Sequence, residues 1–555
     1  MSEILDNTIP RIHQLASDEA INSAFRIASD DLNNLLLREV ERPQVNTNNL
    51  YDHTVMLPFL ESCRKVVEDK LKNDASSYSP LRWLWYFRRL PQVIYGEDLT
   101  KTIKIGLAEL ISGIAGRHGS TKPFHDDILA YEIHPSVINR VLKLFGGTDY
   151  LSRIYGLIRQ AGLGVTFSFE KKALPIPQPS VQQQESMCRF DKRLALGGPP
   201  FNRLGTLVTS DCLHDRDMQD SVLMVYEKQK AKWTILGSPI GKTSDLNVYV
   251  RYLPQYHKLN ELKALTSDPR LIGIQWWQED AGALLLLLRL ARHLLLSHLF
   301  CLAQLHQYGY FIIREQQFKE IANANIRDAS EFIRSILPGI NLPADADELL
   351  AILEQASGSL WPTPRDGPTI RREADLLSLD LFRATTSLAT KFEFPRQDGA
   401  APNARSLHFE RTVQGIIDAS PWSPSQEIRK RKLKFGGKVI TDVDAIGARE
   451  DTLLLVDCYS TSHSAEYEIG KHTALCDIAS YIEDKVIKWM KKKEFIAANP
   501  IGDNYDFSLY RKFIAVVCTP YPFYVPEGPA TQLVAPELLA ASALFELDTW
   551  LKGTR

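Results

Sequence analysis

Two aspartates thirteen positions apart, Asp444 and Asp457, carry the clearest chemical suggestion in this chain. The first lies in KVITDVDAIGA, where Asp442 and Asp444 alternate with apolar residues; the second interrupts the apolar run TLLLVDCYS. Burying an unpaired carboxylate in such a run is costly, and two facing carboxylates repel unless a cation lies between them. Hard oxygen donors grouped at one point suit Mg2+ or Mn2+. A divalent ion held there, with a group that steadies charge on a phosphate, is what phosphodiester hydrolysis requires. The bland rival is a pair of strand-end carboxylates that cap turns or pair with Arg and Lys.

Those residues need two adjacent strands to bring them together. KVITDVDAIGA and TLLLVDCYS both read as strands, joined by the charged turn REDT. Side chains alternate with period two, so Asp442 and Asp444 share one face, and Asp457 and Tyr459 share one face. A turn near Arg449–Asp451 folds Asp444 back toward Asp457, with the carboxylates expected within about 6 Å, close enough for one bridging ion. Before them come a helix candidate, SLHFERTVQGIIDA, the strand RKRKLKF and a tight Gly436-Gly437 turn. After them come a long helix from about 469 to 493, a strand FIAVVCTP, and a last helix from about 536 to 552. The predicted order is helix, three-stranded meander, helix, strand, helix, an α/β sandwich over 401–555.

The helix SLHFERTVQ and the strands ITDVDAIG and LLLVDCYS come in the order and close spacing of the PD-(D/E)XK (restriction-endonuclease-like) nucleases, which this segment resembles. The resemblance covers about 405–551. It implies a C-terminal restriction-endonuclease-like domain and Mg2+- or Mn2+-dependent cleavage of DNA or RNA. Glu410 takes the place of the helix glutamate, Asp444 that of the metal-binding aspartate, and Asp457 that of the acid in the (D/E)XK triplet. The triplet here ends in Tyr459 rather than lysine. Lys438 lies six residues from Asp444, about 20 Å along the strand, too far to substitute. Lys471, near the start of the following helix, is the better candidate for a substitute; a solvated helix lysine is its ordinary reading. Tyr459 itself is a poor base, with a reference pKa of about 10. A fold of this kind that has lost catalysis and serves as a binding or assembly module is the alternative reading.

Basic residues supply a second signal. Arg429, Lys430, Arg431, Lys432 and Lys434 precede the candidate site, and Lys488, Lys491, Lys492 and Lys493 follow it. A nucleic-acid enzyme needs such patches to hold phosphates; a solvated edge strand and a helix end with dipole-favoured lysines are the ordinary explanation. In LRWLWYFRRL, Trp83, Trp85, Tyr86 and Phe87 beside arginines offer base stacking, but a buried helix with a basic edge is the preferred reading. GSPIGKTS at 237–244 has three residues, not four, before its Gly-Lys pair and no helix after it, so it is rejected as a phosphate loop.

The chain as a whole has 555 residues, 44% apolar and 24% charged, with a net charge of −2. That length predicts several domains, and the charge excludes a basic nucleic-acid coat. The cysteines form no CxxC pair, which argues against a structural zinc site or a disulfide framework. The expected organisation is a mostly helical N-terminal portion (1–165), a linker and strand-rich region (166–258), a helical region (259–400) and the α/β domain (401–555). Within it, 167–200, rich in Pro and Gln, reads as linker or loop. The leucine-rich stretch 283–305 is long enough to span a bilayer, but Arg289, Arg292 and His293 near its middle favour a buried helix. With no basic start followed by an apolar stretch in MSEILDNTIPRIHQ, a cytoplasmic protein is expected. Nucleic acid is the expected partner, with a protein partner or homo-oligomer possible and no membrane. By analogy of fold alone, bacterial defence against foreign DNA would suit this arrangement.

Overall fold

The computed structural model describes residues 2–43, 50–91, 99–117, 131–170, 173–197, 223–227, 232–236, 248–250, 281–296, 310–336, 339–354, 368–381, 401–429, 432–461 and 464–553, and single residues between. The described residues fall into two compact units: those within 1–178, 204–263 and 277–395 in one, and those within 179–203 and 396–555 in the other.

The first unit is mostly helical. Ser17 and Asp52, whose side chains accept backbone N–H groups, start the helices Asp18–Glu39 and His53–Ala75, as N-cap chemistry dictates. Both pack on the long helix Pro135–Gly162. The helix Pro80–Phe87 carries the aromatic motif, and Trp83, Trp85, Tyr86 and Phe87 are buried. That position suits core packing and leaves no ring face for a base. Arg88, at its end, is buried too. It donates to both carboxylate oxygens of Glu109 and, at 2.9 Å, to Asp380; Arg383 donates to Glu109 at 2.9 Å and Arg371 to Asp380 at 3.2 Å. Burial alone would raise the pKa of Glu109, but Arg88 and Arg383 hold it down at about 2. Charges so deep are tolerated only in such a paired network.

The helix Ala281–Leu296 buries Leu284, Leu286, Leu287, Leu290 and Leu294 against Glu315–Ile336 and Ala346–Glu354, and the Arg289 guanidinium lies 3.8 Å over the Phe332 ring. No described helix is long and apolar enough to cross a membrane. The region read as helical also contains an antiparallel sheet of Phe311–Arg314, Leu376–Leu379 and Ile370–Glu373. In the strand-rich region, Leu223–Glu227, Lys232–Leu236 and Val248–Val250 form a second antiparallel sheet. The phosphate-loop-like segment 237–244 lies outside the described residues.

The second unit is a three-layer α/β/α arrangement. Its helices are α1 (Val181–Gly197), α2 (Ala401–Asp418), α3 (His472–Ala498) and α4 (Leu544–Gly553). Its strands are β1 (Lys432–Phe435), β2 (Lys438–Asp442), β3 (Ala445–Arg449), β4 (Thr452–Cys458), β5 (Lys512–Thr519) and β6 (Ala541–Ala543). The sheet order is β3-β4-β5-β6, antiparallel between β3 and β4 and parallel thereafter. On one face Leu454, Val456 and Cys458 of β4 join Val516 and Cys518 of β5 in a core with Phe409, Val413 and Ile417 of α2 and Leu547, Trp550 and Leu551 of α4. On the other, α3 packs on β5, and Trp489 donates to the Leu455 carbonyl at 3.2 Å.

Three readings of this region change. The stretch taken as linker contains α1, whose start is a reciprocal cap: the Ser180 hydroxyl accepts from Gln183 N–H at 3.1 Å, and the Gln183 side chain accepts from Ser180 N–H at 3.0 Å. The S-x-x-Q spacing was the available signal. Arg193 of α1 then pairs with both carboxylate oxygens of Glu546 at 2.6 and 2.8 Å. Second, the meander is broken. β1 and β2 form a separate hairpin over Gly436-Gly437, both at positive φ (59° and 77°), the two-residue turn that glycine permits. Third, β6 precedes a shorter last helix than expected.

The free edge of β3 is covered by α2. The Gln414 amide accepts from Ile446 N–H at 2.9 Å and donates to Ile446 C=O at 3.0 Å. An uncovered edge presents unpaired backbone groups. Gln414→Ala is expected to destabilise this unit by about 1–3 kcal/mol, read from a denaturant midpoint. An unchanged midpoint would mean that water replaces the amide without loss.

Candidate functional site

The β3–β4 hairpin sets the geometry. Ala445 faces Val456 in the register, so Asp444, one residue before β3, stands opposite Asp457. Its Oδ2 accepts the Cys458 N–H at 2.7 Å, extending the ladder by a side chain, and the charge of Asp457 acts on its carboxyl. Glu410 comes from α2. It lies one turn before Gln414, the residue clamped to Ile446, and its charge acts on Asp444. The structure thus sets Asp444 opposite Asp457, with Glu410 near enough for its charge to act on Asp444.

The lysine that meets them is not Lys471. Lys471 stands at the N-cap of α3, half exposed, and donates to Glu466 at 2.6 Å. Lys485, fourteen residues on along α3, places its Nζ 3.4 Å from Asp457 Oδ2. That Nζ also lies 5.3 Å from the centre of the Tyr459 ring and 5.9 Å from that of Tyr481. The two rings stack on each other at 4.8 Å and 26°. So the position where the motif has lysine is filled by a tyrosine, and an ammonium arrives beside it from the helix across the sheet. Lys485 shares a helix face with Tyr481, one turn earlier, a register legible in the sequence; what was missing was knowledge of which face meets β4. Burial raises the pKa of Tyr459, which makes it a still poorer base.

Other candidates are placed as follows. Asp442, expected on one strand with Asp444, is exposed on β2 opposite Lys432, because the chain leaves one sheet and enters another at Val443–Asp444. Arg429 is engaged by Asp418 at 2.8 Å and by the Pro424 carbonyl, so it is not a free phosphate ligand. Lys430 and Arg431 lie outside the described residues. Lys432 and Lys434 are exposed on β1. Their hairpin is anchored by Asp503, which accepts Gly436 N–H at 3.0 Å and Gly437 N–H at 2.7 Å.

The electrostatics follow from crowding acids. Burial raises the pKa of Asp444 most, the charges of Asp457 and Glu410 add to it, and the Cys458 N–H opposes them; the result is about 7. The unfolded reference is 3.8, so between these values the folded chain holds a proton that the unfolded chain has lost. The stability this group contributes is complete below the unfolded value and is lost as pH rises through the folded one. Between pH 5 and pH 8 the metal-free protein is expected to lose roughly 2–3 kcal/mol from this source. Urea titrations of the native chain and Asp444→Asn across that range check it: the variant should have the flatter profile, and equal slopes would sink the assignment.

Among the described residues no group of three or more His, Cys, Asp and Glu side chains is assembled as a metal-binding set. Asp444 and Asp457 stand opposite each other across the hairpin. An all-oxygen pair fits Mg2+ or Mn2+, because Mg2+ is commonly held by one or two carboxylates and completed by water and substrate phosphates. No protein-family model, curated protein or solved structure matches the chain.

Proposed function

We propose that the second unit is a divalent-metal-dependent nuclease of the PD-(D/E)XK kind, cutting phosphodiester bonds in DNA or RNA. The observation that carries the reading is the meeting of Asp444, Asp457 and Lys485, with Glu410 adding its charge, at one end of the β3–β4 hairpin. Asp444 and Asp457 would hold the ion. A bound Mg2+ or Mn2+ supplies neutralisation of phosphate charge and acidification of water. Asp444 holds a proton near neutrality when no cation is bound, so binding a cation displaces it. Lys485 offers an ammonium donor within reach of the same point, where negative charge develops on phosphate oxygens in the transition state. The large first unit then serves to recognise a partner or substrate, or to restrain cleavage.

Two observations favour the binding-module alternative: Lys485 already neutralises Asp457, and Tyr459 fills the lysine position. Both are what a retired site looks like. The full chain should be incubated with single- and double-stranded DNA and RNA in Mg2+ or Mn2+. Cleavage that stops on chelation is expected. No cleavage of any substrate in either metal would transfer the reading to a binding or assembly module.

A further inference from the structure

One face of α3 continues outward from the acids. Tyr481, Lys485, Lys488, Lys492 and Phe495 recur at intervals of four, three, four and three residues, so they form one stripe of about 21 Å along the helix. Its two ends are aromatic and open. Tyr481 is 53% exposed with one ring neighbour, Tyr459, and Phe495 is 40% exposed, edge-on to Phe435 of β1 at 5.5 Å. Between them lie the ammonium groups of Lys485, Lys488 and Lys492. From Tyr481 to Phe495 the helix carries five lysines against the acids Glu483, Asp484 and Glu494. One of these acids, Asp484, lies 3.8 Å from Lys488 in an exposed pair that a phosphate can replace at little cost. At the far end the hairpin adds exposed Lys432, Lys434 and Lys438.

We propose that this stripe is a track for single-stranded nucleic acid. An unpaired base stacks on the open side of Tyr481, next to the carboxylates, and the strand's phosphates follow Lys485, Lys488 and Lys492 toward Phe435 and Phe495. The inference rests on the nuclease reading for the strand's registration at Asp444 and Asp457. The physical argument for a single strand is the aromatic ledge. In a duplex both faces of an internal base are already stacked, so an exposed ring beside the cutting point is useful only to an unpaired base. Stacking of this kind is tolerant of sequence, whereas the lysines contribute a salt-dependent, sequence-independent attraction.

The test separates binding from cutting. The full chain is titrated with a fluorescent single strand of about 15 nucleotides, as DNA and as RNA, and with the matching duplex, in EDTA so that nothing is cleaved. The single strand is expected to bind at least tenfold tighter than the duplex. Tyr481→Ala should weaken single-strand binding about 5- to 100-fold, and Tyr481→Trp should retain it, since any large ring serves. The double variant Lys488→Gln, Lys492→Gln should reduce the slope of log affinity against log salt by about 1.4, two phosphates' worth, which a merely structural change would leave alone. Equal binding of duplex and single strand, or Tyr481→Ala binding like the native chain, overturns the track even if the protein cleaves. Tyr481-dependent single-strand binding without Mg2+-dependent cleavage leaves the track standing and removes the nuclease.

Discussion

Asp457→Ala is expected to lower Mg2+-dependent cleavage by about a thousandfold or more while leaving the second unit folded. The effect on rate is large because the carboxylate is one of the two proposed to hold the ion, and charge stabilisation there is worth several kcal/mol in the transition state. The effect on folding is small for a separate reason. The Asp457 side chain retains 22% of its exposure at the end of β4, and its partner Lys485 retains 25%. Truncation at this partly exposed edge leaves no sealed cavity, and a partly solvated pair at 3.4 Å contributes about 1 kcal/mol. Initial rates on the best substrate, with a thermal melt of the same preparation, separate the two quantities. A variant that melts normally and cuts at the native rate would remove Asp457 from the chemistry.

Lys485→Ala is expected to reduce kcat by about 100- to 1000-fold with little change in KM, because a donor aimed at developing charge acts in the transition state rather than in the ground state. Lys471→Ala should stay within about twofold of the native rate, since its ammonium is engaged by Glu466 in an exposed pair. The most informative protein combines Lys485→Ala with Tyr459→Lys. The second change returns an ammonium to the strand position two residues after Asp457, from which side-chain alternation directs it to the same face. Recovery of at least tenfold over Lys485→Ala alone would establish that the helix lysine does the motif lysine's work. Native rates in Lys485→Ala, or equal losses in Lys471→Ala and Lys485→Ala, would refute the assignment of that role.

The sequence by itself determined the features that depend on backbone periodicity and short loops. Alternation in TLLLVDCYS placed Asp457 on the face opposite Leu454 and Val456, and the few residues of the REDT turn left Asp444 little choice but to stand across from it. Gly436-Gly437 similarly determined a two-residue turn, because both positions need positive φ. The apolar character of LRWLWYF determined its burial. Tertiary structure alone decided what joins this pair from a distance. Lys485 is 28 residues from Asp457 and reaches it because α3 crosses the sheet in one particular rotation, set by Trp489 and its buried neighbours rather than by anything local to the lysine. Arg429 was captured by Asp418, eleven residues back, through the fold of the connecting loop. Asp442 was taken from the site by a bend that moves the chain between sheets, and α1 joined this unit through Arg193 and Glu546, more than 350 residues apart. Periodicity constrains which side of an element a residue occupies; only the packing of one element on another decides what that side meets.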